Sequence, residues 1–319
     1  SKRDLNRKKG LATFEGEIYR KLDGIISDNA ELISTIKKNV SKNSTGYDLA
    51  DVKRSDGSFD LTPLFVGSQG TLGIVSEVTL EIVPNNMQRT LAVIGFDSID
   101  SANRVVAEIK KLRPAALEMV DKHLLEFISK HYPDQLKGLI EQPYPEILLM
   151  VEFDDVGRTI QAKKVKKLVK IIKTVTTDYQ VTDNYEERDE LWKIRHSAAA
   201  VIAHSEGKKK ALPIIEDGVV PQEHFTEFIH NIYELFKKYD LESAVWGHAG
   251  NANLHIQPFL DLSSLGDRQK AFKIMDEYYA MVMKMGGSTA GEHNDGRLRA
   301  PYLPALYGPE VYKLFEATK

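Results

Sequence analysis

Two histidines with six residues between them are the first feature of this sequence that could do chemistry. His248 and His255 flank residues 249–254, a stretch made mostly of alanine, glycine and asparagine. That composition disfavours a helix and favours two adjacent strands joined by a tight turn, which would bring the two imidazoles together. Strand alternation then places Gln257 on the same face as His255. Neutral imidazoles are good ligands for a divalent metal, so the segment predicts a metal site or a pair of structurally satisfied histidines.

An adjacent carboxylate and imidazole form the second candidate. Glu292 and His293 lie in residues 286–296, a glycine-rich stretch between two predicted helices, 267–285 and 309–318. Loops held by rigid elements commonly carry functional residues. Glu292 is therefore a candidate anionic third ligand, and His293 a candidate base whose pKa suits proton transfer. A glycine-rich loop with polar surface residues is the alternative interpretation.

An arginine is the third candidate. Arg195 follows Trp192 by three residues, at the start of a predicted alanine-rich helix that reaches about Ala203. A planar guanidinium can hold a substrate carboxylate through two parallel hydrogen bonds. The alternative is an ordinary ion pair with a nearby acid.

The fourth candidate is a run with three glycines, residues 67–73, which reads Gly-Ser-Gln-Gly-Thr-Leu-Gly. Glycines at this spacing allow a backbone to turn tightly and approach a flat or anionic ligand. They would equally serve a sharp structural turn. No predicted helix follows the run, so it fails the context of a nicotinamide-dinucleotide motif.

Composition excludes several classes of function. The 319 residues contain no cysteine, which rules out disulfides, thiolate catalysis and cysteine-ligated clusters within this chain. A net charge of −3 provides no broad basic surface, so nucleic acid is not an expected partner. No apolar run approaches the roughly 20 residues of a membrane span, and no secretory signal opens the sequence. We therefore expect a cytoplasmic protein.

Hydrophobic periodicity predicts an α+β fold. Residues 14–40 have helical periodicity, and residues 64–66 and 74–83 are predicted strands that end at Pro84. Beyond residue 86, a strand–helix–strand pattern recurs three times, which indicates an antiparallel or mixed sheet covered by helices. The predicted strands are residues 91–96, 117–120, 147–153, 180–183, 214–220, 243–247 and 254–258.

Taken together, these motifs resemble the FAD-linked oxidases of the vanillyl-alcohol-oxidase fold. Within them, the sequence is similar to the D-lactate, glycolate and D-2-hydroxyglutarate dehydrogenase group. Residues 42–49 (Lys-Asn-Ser-Thr-Gly-Tyr-Asp-Leu) and residues 67–73 resemble the second half of the family's FAD-binding domain. The histidine pair, the Gly291-Glu292-His293 segment and Arg195 match the family's motifs in its order along the chain.

The resemblance implies the domains and the ligands. Residues 1–86 would be the second half of a PCMH-type FAD-binding domain, and residues 87–319 the substrate domain, with C-terminal helices returning to the flavin side. FAD would be the redox cofactor, next to a divalent zinc, manganese or iron ion. The substrate would be a small 2-hydroxy acid. Electrons would pass to an acceptor such as an iron–sulfur module or a quinone, which would place the protein at the periphery of a membrane.

The resemblance also assigns roles to residues. His248, His255 and Glu292 would bind the metal, and His293 would be the catalytic base. Arg195, Asn253 and Gln257 would bind the substrate. The expected flavin contacts come from the two glycine-containing segments: Lys42, Gly46, Tyr47, Gly67, Ser68, Gly70, Thr71, Gly73 and Ile74.

The sequence departs from the family at several positions. The usual Gly-Asp-Gly-Asn between the histidines is Gly250-Asn-Ala-Asn253, and Ile215 replaces a lysine of some members. Nothing resembles the loop that holds the FAD pyrophosphate, so we expect this chain to be a fragment that retains no FAD and is inactive alone. Two other functions stay open: a flavin-free module that binds a metal and a hydroxy acid, and a metal hydrolase.

Overall fold

The computed structural model describes residues 1–196, 198, 202 and 207–319. Contacts divide the chain into two compact units. The first consists of Ser1–Glu81 together with Gly286–Lys319, and the second consists of Ile82–Met285.

The second unit is built on one antiparallel sheet. Its strands in the described residues are β1 (Thr90–Phe96), β2 (Ala116–Asp121), β3 (Ile147–Phe153), β4 (Tyr179–Thr182), β5 (Lys210–Ala211), β6 (Ser243–His248) and β7 (Asn253–Leu260). They are ordered β4-β1-β3-β2-β6-β7-β5, and each neighbouring pair is antiparallel. The sheet confirms the predicted α+β class, and its middle strand is β2.

Helices of the second unit cover this sheet. In the described residues these helices are Ile99–Lys111, Lys122–His131, Arg158–Ile172, Tyr185–His196, Phe225–Tyr239 and Leu265–Lys284. Helix Ile99–Lys111 begins where the Ser98 side chain accepts a hydrogen bond from the Ser101 N–H, which satisfies one of the free donors of its first turn. Arg195 lies in the last turn of Tyr185–His196. The predicted continuation of that helix to Ala203 falls mostly outside the described residues.

The first unit is helical. Its helices are Lys2–Lys9, Phe14–Asp28, Ala30–Ser34, Thr62–Phe65, Gly296–Arg299, Leu303–Tyr307 and Pro309–Thr318. Leu22 and Ile26 share a buried core with Val311 and Phe315 of the last helix. The helix predicted over residues 14–40 is shorter in the structure: it breaks at Asn29 and ends at Ser34.

Three strand predictions were wrong. Residues 74–83 adopt no strand, and their apolar side chains are exposed: 99% for Ile74 and 90% for Ile82. An alternating sequence becomes a strand only where another backbone accepts its hydrogen bonds, and no described strand pairs with this segment. Residues 214–220 form only an isolated bridge between Val219 and Asn253. Residues 64–66 fall at the end of a short helix.

Among the described residues, no helix has both the length and the apolar character to cross a bilayer.

Candidate functional site

The histidine pair lies on the hairpin formed by β6 and β7. His248 is opposite Asn253 in the register, and Trp246 is opposite His255, so the two histidines are diagonal neighbours. Their Nε2 atoms are 3.4 Å apart. The hairpin that the turn composition predicted thus brings both imidazoles together.

Each imidazole is anchored through its other nitrogen. Nδ1 of His248 lies 2.7 Å from Oε1 of Glu118, and Nδ1 of His255 lies 3.2 Å from Oε2 of Glu216. An ionised carboxylate only accepts hydrogen bonds, so it favours the tautomer with hydrogen on Nδ1 and a lone pair on Nε2. Histidines that bind metals commonly have this carboxylate partner.

The donor set therefore fits a divalent cation. Two nitrogens that bind one tetrahedral zinc at about 2.0–2.1 Å lie about 3.3 Å from each other, which is close to the 3.4 Å separation of the two Nε2 atoms. Two unprotonated nitrogens this close would repel each other, and a cation bound to both removes that repulsion.

Arg195 shares the Glu118 carboxylate with His248, one of the two histidines. Its Nε donates to Oε2 of Glu118 at 2.8 Å. The structure therefore contains the ion pair that was the alternative interpretation of Arg195. Burial favours a raised pKa for the Glu118 carboxyl. Hydrogen bonds from His248 and Arg195, together with the positive charge of Arg195, outweigh that effect and hold the pKa of Glu118 below its usual value. Glu118 is thus a buried, ionised carboxylate that contacts both Arg195 and His248.

Asn253 and Gln257 lie on the same strand as His255. Asn253 is fully buried, and its Nδ2 donates to the carbonyl oxygens of Asp217 at 3.2 Å and Gly218 at 3.3 Å. Its Oδ1 has no hydrogen-bond partner in the described part of the chain. Buried acceptors rarely stay unsatisfied, so this oxygen is a candidate contact for a ligand hydroxyl. Gln257 is half-buried, two residues beyond His255.

Glu292 and His293 belong to the first unit. Oε2 of Glu292 lies 2.8 Å from Nζ of Lys42, and its Oε1 lies 3.5 Å from Nε2 of His293. The His293 side chain is 47% exposed, which leaves its ring accessible. The carboxylate therefore contacts both a predicted flavin-binding lysine and the predicted base.

The loop that carries this pair is fastened to both segments predicted to bind FAD. The hydrogen bonds that make the connection include Ser44 N–H to Ala290 O at 3.0 Å, Gly46 N–H to Asp295 Oδ2 at 2.7 Å, Asn294 Nδ2 to Gly67 O at 3.0 Å, and Gly296 N–H to Gln69 Oε1 at 3.1 Å. Segments far apart in sequence thus form a single polar cluster in the first unit.

The turn predicted to contact FAD contains two glycines in a left-handed conformation. Gly67 and Gly70 have φ angles of +82° and +77°, a conformation that side chains disfavour. Beside them, the hydroxyl groups of Thr71 and Tyr47 share a 2.6 Å hydrogen bond. Apart from its two neighbours in the chain, a methyl group added at Gly70 would meet no atom of the described residues within 4 Å, so the backbone there is open to close approach of a flat ligand. The other predicted contacts of this turn differ in exposure: Ser68 is buried, whereas Gly73 and Ile74 are exposed.

Sequence reasoning missed Glu118 and Glu216, the two carboxylates that anchor the histidines. A local signal existed for Glu118, because a charged residue stands inside the apolar strand β2 and is buried there. Charged residues are almost never buried without a partner. The identity of that partner depended on strand pairing between distant segments.

Comparison with known proteins agrees with the resemblance. Residues 85–319 match the family described as FAD linked oxidases, C-terminal domain. A D-2-hydroxyglutarate dehydrogenase of Pantoea ananatis is 30% identical over 94% of this chain and 30% of that protein. A glycolate oxidase subunit GlcD of Bacillus subtilis is 30% identical over 90% of this chain and 65% of that protein. The chain thus spans about a third to two thirds of these relatives.

A solved structure supports the fold. That of p-cresol methylhydroxylase with substrate bound aligns with a TM-score of 0.52 and 12% identity, over 72% of this chain and 49% of that one. The antiparallel sheet and its helical cover therefore share the fold of the matching part of that structure. The chain belongs to the FAD-linked oxidase family, through its C-terminal domain.

Proposed function

We propose that the protein is part of an FAD-dependent dehydrogenase that oxidises a D-2-hydroxy acid to the 2-keto acid, with a divalent metal and a histidine base. The observation that carries the proposal is the geometry of His248 and His255. Their Nε2 atoms are 3.4 Å apart, and each Nδ1 faces a carboxylate. The names of the relatives from Pantoea ananatis and Bacillus subtilis supply the substrate class.

His248 and His255 would hold zinc, manganese or iron. Glu292 is assigned as the third ligand from the sequence, since a carboxylate oxygen suits these ions. When bound, the cation supplies Lewis acidity for the substrate hydroxyl.

Substrate orientation falls to Arg195, Asn253 and Gln257. The terminal amino groups of Arg195 donate no hydrogen bond to the described residues, while its Nε is committed to Glu118. They are thus suited to a substrate carboxylate, which a guanidinium can hold in two places. The unpaired Oδ1 of Asn253 would accept from the substrate hydroxyl or a bound water.

The hydroxyl proton and the Cα hydride of the substrate would leave by different routes. Nε2 or Nδ1 of His293 would take the hydroxyl proton, while the Cα hydrogen departs as hydride. The glycine-containing segments around Gly46 and Gly67 would contact FAD, which when bound would supply the hydride acceptor. The electrons would pass from there to an iron–sulfur module or a quinone.

The test is anaerobic reduction of the flavin in the full-length protein. D-lactate, glycolate and D-2-hydroxyglutarate should be offered separately, with L-lactate as the matched control. We expect one of the first three to bleach the flavin absorbance, and EDTA to abolish the bleaching. Hydrolytic turnover by a flavin-free chain would favour the metal hydrolase instead. Ligand binding with no reduction by any hydroxy acid would favour the binding module.

A further inference from the structure

Glu118 connects the arginine assigned to the substrate with a histidine assigned to the metal. Its Oε2 accepts from Nε of Arg195 at 2.8 Å, and its Oε1 accepts from Nδ1 of His248 at 2.7 Å. The Glu118 side chain is 10% exposed. One buried carboxylate therefore contacts two residues of different proposed roles.

The backbone that carries Glu118 is held on both sides. β2 is the middle strand of the sheet, paired with β3 along its whole length and with β6 at Met119–Gly247 and Val120–Trp246. His248 is the last residue of β6. The position of the carboxylate relative to His248 is thus set by strand register and not by a loop.

We infer that Glu118 is a positioning residue that fixes the His248 tautomer and the Arg195 guanidinium at the same time. The inference rests on the proposed function for the roles of these two partners. Oε1 keeps hydrogen on Nδ1 of His248, so that its Nε2 presents a lone pair. Oε2 occupies Nε of Arg195 and leaves the terminal amino groups for a carboxylate ligand.

Only a carboxylate can serve both partners. Arg195 Nε–H and His248 Nδ1–H are both donors, and a carboxylate accepts on both oxygens. A glutamine amide accepts on one side and donates on the other. At position 118, the NH2 group of the amide would face the N–H group of one partner, and two donors cannot form a hydrogen bond. The conflict would be avoided only if His248 moved its hydrogen from Nδ1 to Nε2. That change would remove the lone pair that a metal needs.

The chain offers matched controls. Glu152 is another buried carboxylate in the sheet, where it accepts from Arg89 at 3.0 Å and from Trp192 at 2.8 Å. Glu152→Gln also weakens a buried ion pair, but Glu152 contacts neither histidine in the described structure. His255 is an internal control, because its Nδ1 partner is Glu216.

The experiment is nitrogen NMR of the 319-residue chain, metal-free, with ¹⁵N-labelled histidine and at a pH where the imidazoles are neutral. The ring nitrogen shifts report which nitrogen carries hydrogen. Wild type should have both His248 and His255 as the Nδ1–H tautomer. Glu118→Gln should move His248 to Nε2–H and leave His255 unchanged, while Glu152→Gln should change neither.

A second measurement uses Zn²⁺ titration of the same proteins. Glu118→Gln should bind Zn²⁺ about 10–100-fold more weakly than wild type, and Glu152→Gln should bind it equally. His248 as Nε2–H in wild type would overturn the inference even if the glutamine variant fails to fold. An unchanged tautomer and affinity in Glu118→Gln would overturn it as well. A correct tautomer result with no flavin reduction by hydroxy acids would instead reject the proposed function alone.

Discussion

Gly247 and Asn253 approach each other so closely across the hairpin that a methyl group on Gly247 would lie 2.8 Å from the carbonyl oxygen of Asn253. The φ angle of Gly247 is +146°. Any side chain here must displace β7 or force the backbone out of this conformation. The close approach lies directly beside His248, so the geometry of the histidine pair depends on a residue that has no side chain.

Gly247→Ala should therefore destabilise the protein and weaken Zn²⁺ binding. We expect a loss of about 1–3 kcal/mol in the free energy of unfolding, the usual range for a strained backbone residue. Gly266→Ala is the control, since Gly266 has no positive φ and only ordinary contact at 3.6 Å. Urea unfolding of both variants checks the prediction, which fails if the two are equally stable.

Arg195→Lys should weaken binding of the 2-keto acid product. An ammonium cannot form the two parallel hydrogen bonds of a planar guanidinium. The loss of a charge-assisted hydrogen bond costs about 1.5–3 kcal/mol. Arg188→Lys is a suitable control, because Arg188 is a buried arginine that donates to the Arg89 carbonyl at 3.0 Å. Competitive inhibition by the keto acid, measured on the full-length enzyme, compares Arg195→Lys with the control Arg188→Lys. Equal inhibition constants for wild type and Arg195→Lys would make Arg195 structural.

Asp121 should make stability depend on pH. Burial raises its pKa from 3.8 to about 6, although Leu124 N–H and the Tyr233 hydroxyl donate to it. Between pH 3.8 and about pH 6, Asp121 keeps its proton in the folded protein and loses it in the unfolded chain. The contribution of Asp121 is thus fully present below pH 3.8 and is lost as pH rises through about 6.

Asp121→Asn should remove this dependence. Asparagine keeps the acceptor that caps helix Lys122–His131 and carries no charge to bury. Relative to wild type, the variant should gain stability as pH rises from about 4 to about 7, by up to about 3 kcal/mol. Urea unfolding at several pH values measures the difference. A difference that stays constant with pH would contradict the raised pKa.

Glu292 and His293 should have separate roles, the first as a metal ligand and the second as the catalytic base. Glu292→Gln should lower metal content, because a neutral amide is a poor ligand for these cations. His293→Ala should keep the metal but lower the turnover of the full-length enzyme by about 10²–10⁴-fold. Metal analysis and rates on both variants test this. Metal lost with His293 and kept with the changed Glu292 would reverse the two assignments.

Local sequence predicted those features whose causes are local. The turn between His248 and His255 follows from its own residues, and strands such as β1 and β3 follow from short, almost continuous apolar runs that are buried on both faces. Glu118 is different, since it meets His248 from 130 positions away in the chain, through the β2–β6 pairing. Residues 74–83 have the alternation of a strand, but a strand also needs a partner that local sequence does not specify.

Zn²⁺ titration of the 319-residue chain tests most directly whether the paired imidazoles are a metal site. Wild type should bind a single ion, and His248→Ala and His255→Ala should each lose that binding. His230→Ala should bind like wild type, because His230 pairs with Asp100 at the surface. Equal binding by all four proteins would contradict the site, and with it the proposed role of the metal in hydroxy-acid oxidation.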